Sequence, residues 1–161
     1  MATSCYLKAD PLKGESTDDA HEDWIEVESW SFGVTQPVSG PSGTGGRAAA
    51  RADFQSFCIN KMVDKSSVDL GLHCAKGEHI AKMELEACQE TGEKVNYWKL
   101  EFENAMVQSV SVNGGGSMRA SESVCFVYDK VTWTYTAVNN DGSAGDKIGP
   151  KIWNLETNKA E

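Results

Sequence analysis

Chemistry in this chain of 161 residues would have to come from a few places. The run STDDAHEDWIEVESW, residues 16–30, crowds carboxylates around one histidine, the raw material of a calcium cage or an acid/base pair. A calcium loop sets its carboxylates at alternate positions around a central glycine and ends on a glutamate; that order is absent. Acid/base work needs one carboxyl desolvated or paired so that its pKa parts from its partner's. Glu15, Asp18, Asp19, His21, Glu22 and Asp23 make too polar a run for that, and they read as the solvated approach to a strand at Trp24. Gly43, Gly45 and Ala48 spell G-x-G-x-x-A, but a dinucleotide site needs a strand before that motif and a helix after it. Pro37 and Pro41 precede it, strand-like ARADFQSF follows, and Arg47 has no Lys-Ser/Thr neighbour to make a phosphate loop. There is no G-x-S-x-G and no Cys/His nucleophile signature. The five cysteines include no C-x-x-C pair, and only Cys74 with His73 and His79 approaches a zinc set. Cys5, Cys58, Cys74, Cys88 and Cys125 are read as reduced, partly buried thiols of a reducing compartment, and His73 as a helix-surface residue. No catalytic residue, no cofactor and no metal site is expected.

The elements that would hold any site are mostly strands, because the apolar positions recur with period two. Ala81, Met83, Leu85 and Ala87 share one face against Lys82, Glu84 and Glu86. Trp98, Leu100 and Phe102 oppose Lys99, Glu101 and Glu103; Val131, Trp133, Tyr135 and Ala137 oppose three threonines. Half-wet strands of this kind belong to antiparallel sheets and small barrels. The apolar phase slips by one residue near Glu28 and Ser29, again between Phe54 and Phe57, and again between Phe126 and Val131. Bulges that bend strongly curved sheets would absorb such slips. One segment, SSVDLGLHCAKG, reads as a helix: Val68, Gly71, Leu72 and Ala75 form its apolar face, Ser66 with Asp69 its capping box, and Gly77 its left-handed end. NGGG at 113–116 and NNDG at 139–142 are turns. The Pro- and Gly-rich stretch 36–50 is a long exposed loop.

Length fits one domain over residues 1–161, long enough to bury a sizeable core. Fifteen Lys and Arg against 24 Asp and Glu give a formal charge of −9, with the cations scattered. That excludes a basic footprint for nucleic acid. No apolar run is long enough to insert in a membrane, and the N-terminus lacks the pattern of a cleavable signal peptide.

Five blocks then resemble one family in order, KGEST, IEVESWSFG, DKSS, CAKGEH and IGPKIWNLETN, within a likeness that runs from about residue 4 to residue 158. They are similar to the Hcp family, the tube proteins of the bacterial type VI secretion system. The resemblance implies a mainly β fold, a small antiparallel β-barrel of two curved sheets with one flanking α-helix, assembling as a ring. It implies homohexamers stacked into an inner tube that is expelled with a VgrG-type spike from a contractile sheath, carrying small secreted effectors in its lumen. It implies a cytoplasmic protein before firing, then secreted without a cleavable signal peptide. The loop 36–50 corresponds to the family's projection toward a neighbouring ring, with Gln36, Val38, Ser42, Thr44 and Arg47 as contact candidates. Ser31 is the lumen candidate, since Trp30 and Phe32 on either side turn inward. A monomeric β-barrel binding a small ligand is the alternative; size in solution separates the two.

Overall fold

The computed structural model describes residues 2–40, 46–47 and 49–161. The chain forms β1 (Thr3–Ala9), β2 (Ile25–Val27), β3 (Ser29–Ser31), β4 (Val34–Thr35), β5 (Asp53–Phe54) and β6 (Phe57–Met62) before its helix, α1 (Ser66–Lys76). Then follow β7 (His79–Thr91), β8 (Glu93–Asn113), β9 (Ser121–Val127), β10 (Lys130–Val138), β11 (Ala144–Asn154) and β12 (Lys159–Ala160). One sheet runs β12-β11-β10-β8-β7-β1-β2, and a second, β3-β6-β9, joins it through β8. β8 serves both because it bends. Residues 93–106 pair with β7 and residues 106–113 with β9. Between them Asn104 takes a φ of 50°, a left-handed conformation that asparagine tolerates better than most side chains. Its amide donates to Asp129, and its oxygen lies 2.7 Å from His79 Nδ1.

The slip at Glu28 is a change of sheet. β2 pairs with β1, β3 pairs with β6, and the Glu28 N–H between them donates to Asn60 O at 2.9 Å. Among the described residues no ladder runs from β2 to β6, so the expected barrel is two curved sheets meeting at a corner. The other two slips are also corners: Gln55 and Ser56 separate β5 from β6, and Tyr128 and Asp129 separate β9 from β10.

Between the sheets the core is dry. Leu7, Ile25, Phe57, Ile59, Leu85, Leu100, Phe102, Val124, Phe126 and Val131 are fully buried, and the Phe102 ring lies 4.6 Å from both Phe57 and Tyr128. Each such side chain contributes about 1.5–3 kcal/mol on leaving water. Two alternation readings fail locally. Ala81 is exposed and Ile80 buried where Ala81 and the left-handed Asn104 opposite it drop out of the β7–β8 ladder. Tyr135 is exposed because the β10–β11 register shifts after Trp133.

The helix ends where the sequence implies: Gly77 adopts φ 68° and its N–H donates to His73 O. Its start differs. Ser66 lies inside the helix and is buried, while Asp64 accepts the Ser66 N–H at 2.9 Å, so the Ser66/Asp69 capping box does not form. Its rotation differs too. Leu70 is buried and Cys74 packs on the core, whereas Val68 is 77% exposed and Leu72 48% exposed. Ser67 explains this, since its hydroxyl donates to Glu122 on β9 and holds that side of the helix against the sheet.

Candidate functional site

The outward faces of the two sheets differ in charge. On the first, the pairings Lys8↔Glu84 and Glu84↔Glu101 align charged side chains across β1, β7 and β8. Lys82 lies 3.1 Å from Glu84 and 3.2 Å from Glu101, and hydrogen bonds to those carboxylates push its pKa up. On the second sheet Ser31 pairs with Cys58, Cys58 with Cys125, and Cys125 with Ser109. The next row is Ser29, Asn60, Ser123 and Ser111, with Asn60 Nδ2 donating to Ser29 Oγ at 2.9 Å. Neither row holds a charge. Alternation makes this face outward, because Phe57 and Ile59 of β6 and Val124 and Phe126 of β9 fill the core. Ser31 sits at the margin of this uncharged surface, exposed, with Trp30 and Phe32 beside it packed against the core.

β4 and β5, on either side of the stretch 36–50, form a two-stranded ribbon in which Val34 pairs with Phe54 and Thr35 with Asp53. A bridge from Val38 to Ala49 continues the ribbon, and the Gln36 amide donates to Ala50 O. Gln36, Val38 and Arg47 are exposed. Ser42 and Thr44 lie outside the described residues, as do Gly43, Gly45 and Ala48.

The acidic run is anchored, contrary to the reading of it as wholly solvated. His21 is 4% exposed. Its Nδ1 lies 2.6 Å from Asp18 Oδ2 and its Nε2 lies 2.6 Å from Glu86 Oε2 on β7. Tyr6 stacks on the ring at 4.3 Å and Trp24 meets it edge-on at 4.8 Å. Lys94 donates to Asp18 at 2.6 Å and to the Tyr6 hydroxyl at 3.1 Å. Burial opposes the Lys94 charge, but these two bonds outweigh it and raise its pKa. In turn Lys94, then His21, hold the Asp18 carboxyl below its ordinary value. Gly14 lets the chain lie this close: a Cβ there would stand 2.3 Å from Trp24 O. Glu15, Asp19, Glu22 and Asp23 stay exposed as the sequence suggests.

Three features escaped the sequence reading. Lys61 and Glu122, opposed across β6 and β9, form an ion pair whose side chains are both 0% exposed. Lys61 Nζ also lies 2.9 Å from Asp64 Oδ1 and 3.2 Å from Ser67 Oγ. A lysine following Phe57 and Ile59 at period two was the available signal. Second, Cys58 and Cys125 form a disulfide, correcting the expectation of five free thiols; direct opposition in the β6–β9 ladder brings the sulfurs together, and a separation of 67 residues carries no such signal. Third, among the described residues the one set of histidine, cysteine and acidic ligand atoms close enough to hold a metal is His21, Glu86 and Cys88, not Cys74 with His73 and His79. Burial, then Glu86, pushes the Cys88 thiol up to about 11, and both His21 nitrogens are already engaged.

The aromatic and aliphatic side chains named above fill the space between the sheets. The shape has close counterparts. The family described as "Type VI secretion system effector, Hcp" matches residues 6–135. Protein hcp1 of Pseudomonas aeruginosa is 32% identical over 160 residues, 98% of each chain. A solved "type six secretion system protein" superposes with a TM-score of 0.95 at 37% identity, over 99% of this chain and 100% of its own. Hcp1 from Salmonella typhimurium does so with a TM-score of 0.79 at 26% identity, over 100% of both. The fold is that of a type VI secretion component. The chain belongs to the Hcp family, the tube and effector proteins of that system.

Proposed function

We propose that this chain is a non-catalytic ring subunit: six copies join head-to-tail, and the rings stack into the tube that a contractile sheath expels behind a VgrG-type spike. The uncharged outward face of β3, β6, β9 and the end of β8 lines the bore, with Ser31 at the cargo surface. A wall of serines and asparagine presents hydrogen-bonding groups without fixed charge, suited to holding small secreted effectors loosely. Gln36, Val38, Ser42, Thr44 and Arg47 reach the next ring. Assembly takes place in the cytoplasm and export runs through the machine itself.

The observation that carries this reading is the pairing of strands. Among the described residues β2, β3 and β12 each have one ladder partner, and open edges of this kind invite a second copy. Tyr135 and Ile148, opposed in the β10–β11 ladder, expose apolar surface at 41% and 61%. Sedimentation velocity with negative-stain imaging tests the reading. A particle of six 17.5 kDa chains with a central hole is expected; a protein that stays monomeric at millimolar concentration and shows no annulus refutes it.

A further inference from the structure

We propose that Cys58 and Cys125 form a reversible thiol–disulfide exchange site on the uncharged outward face, whose ligands are small thiols and disulfides of the glutathione class. Placement comes first. The flanking residues of both strands, Phe57, Ile59, Val124 and Phe126, point into the core, so the two cysteines point away from it. Both are half-buried rather than enclosed. Their neighbours along the row are Ser31 on one side and Ser109 on the other, both exposed and small, so no bulky side chain flanks the pair in that row.

The other cysteines make the contrast. Cys88 is buried beneath the His21 anchor, where its thiol is pushed up to about 11, and burial raises the Cys5 thiol as well. Cys74 is on the helix, with its thiol donating to Gln108 O on β8. A dithiol closes where two cysteines face each other, and these three do not: Cys5 pairs with Val27 and Ala87, Cys88 with Ser4 and Asn96, and Cys74 is on the helix. Cys58 and Cys125 need no rearrangement to close, since the β6–β9 ladder holds them opposite each other through pairs on either side, Phe57↔Phe126 and Ile59↔Val124. The fold therefore accommodates both the dithiol of a reducing compartment and the disulfide of an oxidising one.

The step balances without a further reagent. One cysteine thiolate attacks a small disulfide RSSR, forming a mixed disulfide and releasing one thiol RSH. The second cysteine then attacks the protein sulfur of that mixed disulfide, closing Cys58–Cys125 and releasing the second RSH. Two protein thiols are oxidised and one RSSR is reduced to two RSH, with the protons passing to the departing thiols. The exchange stands on the single chain; its repetition six times around a bore rests on the ring reading.

The test equilibrates the reduced full-length protein in a series of reduced and oxidised glutathione buffers, followed by acid quench, alkylation and peptide mapping. The linked Cys58–Cys125 peptide is expected to grow in one transition and to reverse in reducing buffer, with Cys5, Cys74 and Cys88 remaining alkylatable. In Cys125→Ser, Cys58 should hold about one glutathione per chain, released by dithiothreitol. The proposal falls if the bond in the native protein resists reduction until the chain is unfolded, or if glutathione settles on Cys5, Cys74 or Cys88 instead. It also falls if folded Cys125→Ser, checked by circular dichroism, leaves Cys58 unmodified; the wild-type series decides alone if that variant does not fold. Sedimentation of the same samples separates the two readings: exchange in a monomer sinks the ring and keeps the site, and hexamers without exchange do the reverse.

Discussion

Replacing Lys61 by methionine should be among the most damaging single changes outside the apolar core. The ammonium group is fully buried and meets Glu122, Asp64 and Ser67 at once. Methionine keeps much of the length and removes the charge, leaving the Glu122 carboxylate, also fully buried, with the Ser67 hydroxyl still bonded to it and Asp64 nearby. One Glu122 oxygen already lacks a hydrogen-bond partner. Removing one member of a buried pair costs about 3–5 kcal/mol, a large share of the roughly 5–15 kcal/mol that stabilises a domain. At about 2–4 °C per kcal/mol for a chain of this size, Lys61→Met should melt some 6–20 °C below wild type. Thermal and urea unfolding followed by circular dichroism measure both quantities. The double variant Lys61→Met/Glu122→Leu is the decisive arm, because replacing both charges with apolar groups should recover most of the loss. A single variant within about 1 kcal/mol of wild type, or a double variant no better than the single, would refute the claim that an uncompensated charge is what destabilises.

Further outcomes follow from the other features. Asp18 is held below its ordinary value in the folded chain, so its contribution is present above the unfolded value near 3.8 and is lost as pH falls through the lower folded one. Asp18→Asn should therefore lower the urea midpoint at neutral pH, and the gap from wild type should close in acid; a gap independent of pH would deny the pairing. Reduction of Cys58–Cys125 reopens a loop of 67 residues, worth up to about 4 kcal/mol of chain entropy, and calorimetry with and without reductant should show the lower melting temperature in the reduced sample. Ser31→Gln should leave the hexamer intact while reducing cargo that co-purifies with it, and unchanged cargo would remove Ser31 from the bore. Six chains of −9 repel one another, so rings should dissociate more readily at low salt than at physiological ionic strength, where the Debye length is about 8 Å; sedimentation showing equal or more hexamer at low salt contradicts this.

Strand phase was legible wherever a ladder runs without interruption. Met83, Leu85, Leu100 and Phe102 all face inward as alternation requires. The slip at Glu28 was visible too, although the letters could not distinguish a bulge from a change of sheet, which depends on the distant partner β6. Helix rotation was misread because hydrophobicity favoured Val68 and Leu72, while the deciding contact is polar and remote, Ser67 with Glu122. The His21 anchor was hidden for a similar reason. Asp18 is three residues from His21, but Tyr6, Glu86 and Lys94 arrive from other strands, and only their convergence turns a polar run into a buried cluster. Uncharged outward residues on β6 and β9 stand in the sequence at alternate positions, yet that they form one surface with Ser31 follows from strand order, which no local pattern reveals.

β8 passes without a break from one sheet into the other, bending at Asn104. A backbone shared in this way acts as a common beam: neither sheet can detach without dragging away the strand that completes its neighbour. Loss of either half should therefore bring down both, giving one cooperative melting event, and a load applied to one face is passed to the opposite face through covalent bonds rather than through side-chain contacts alone.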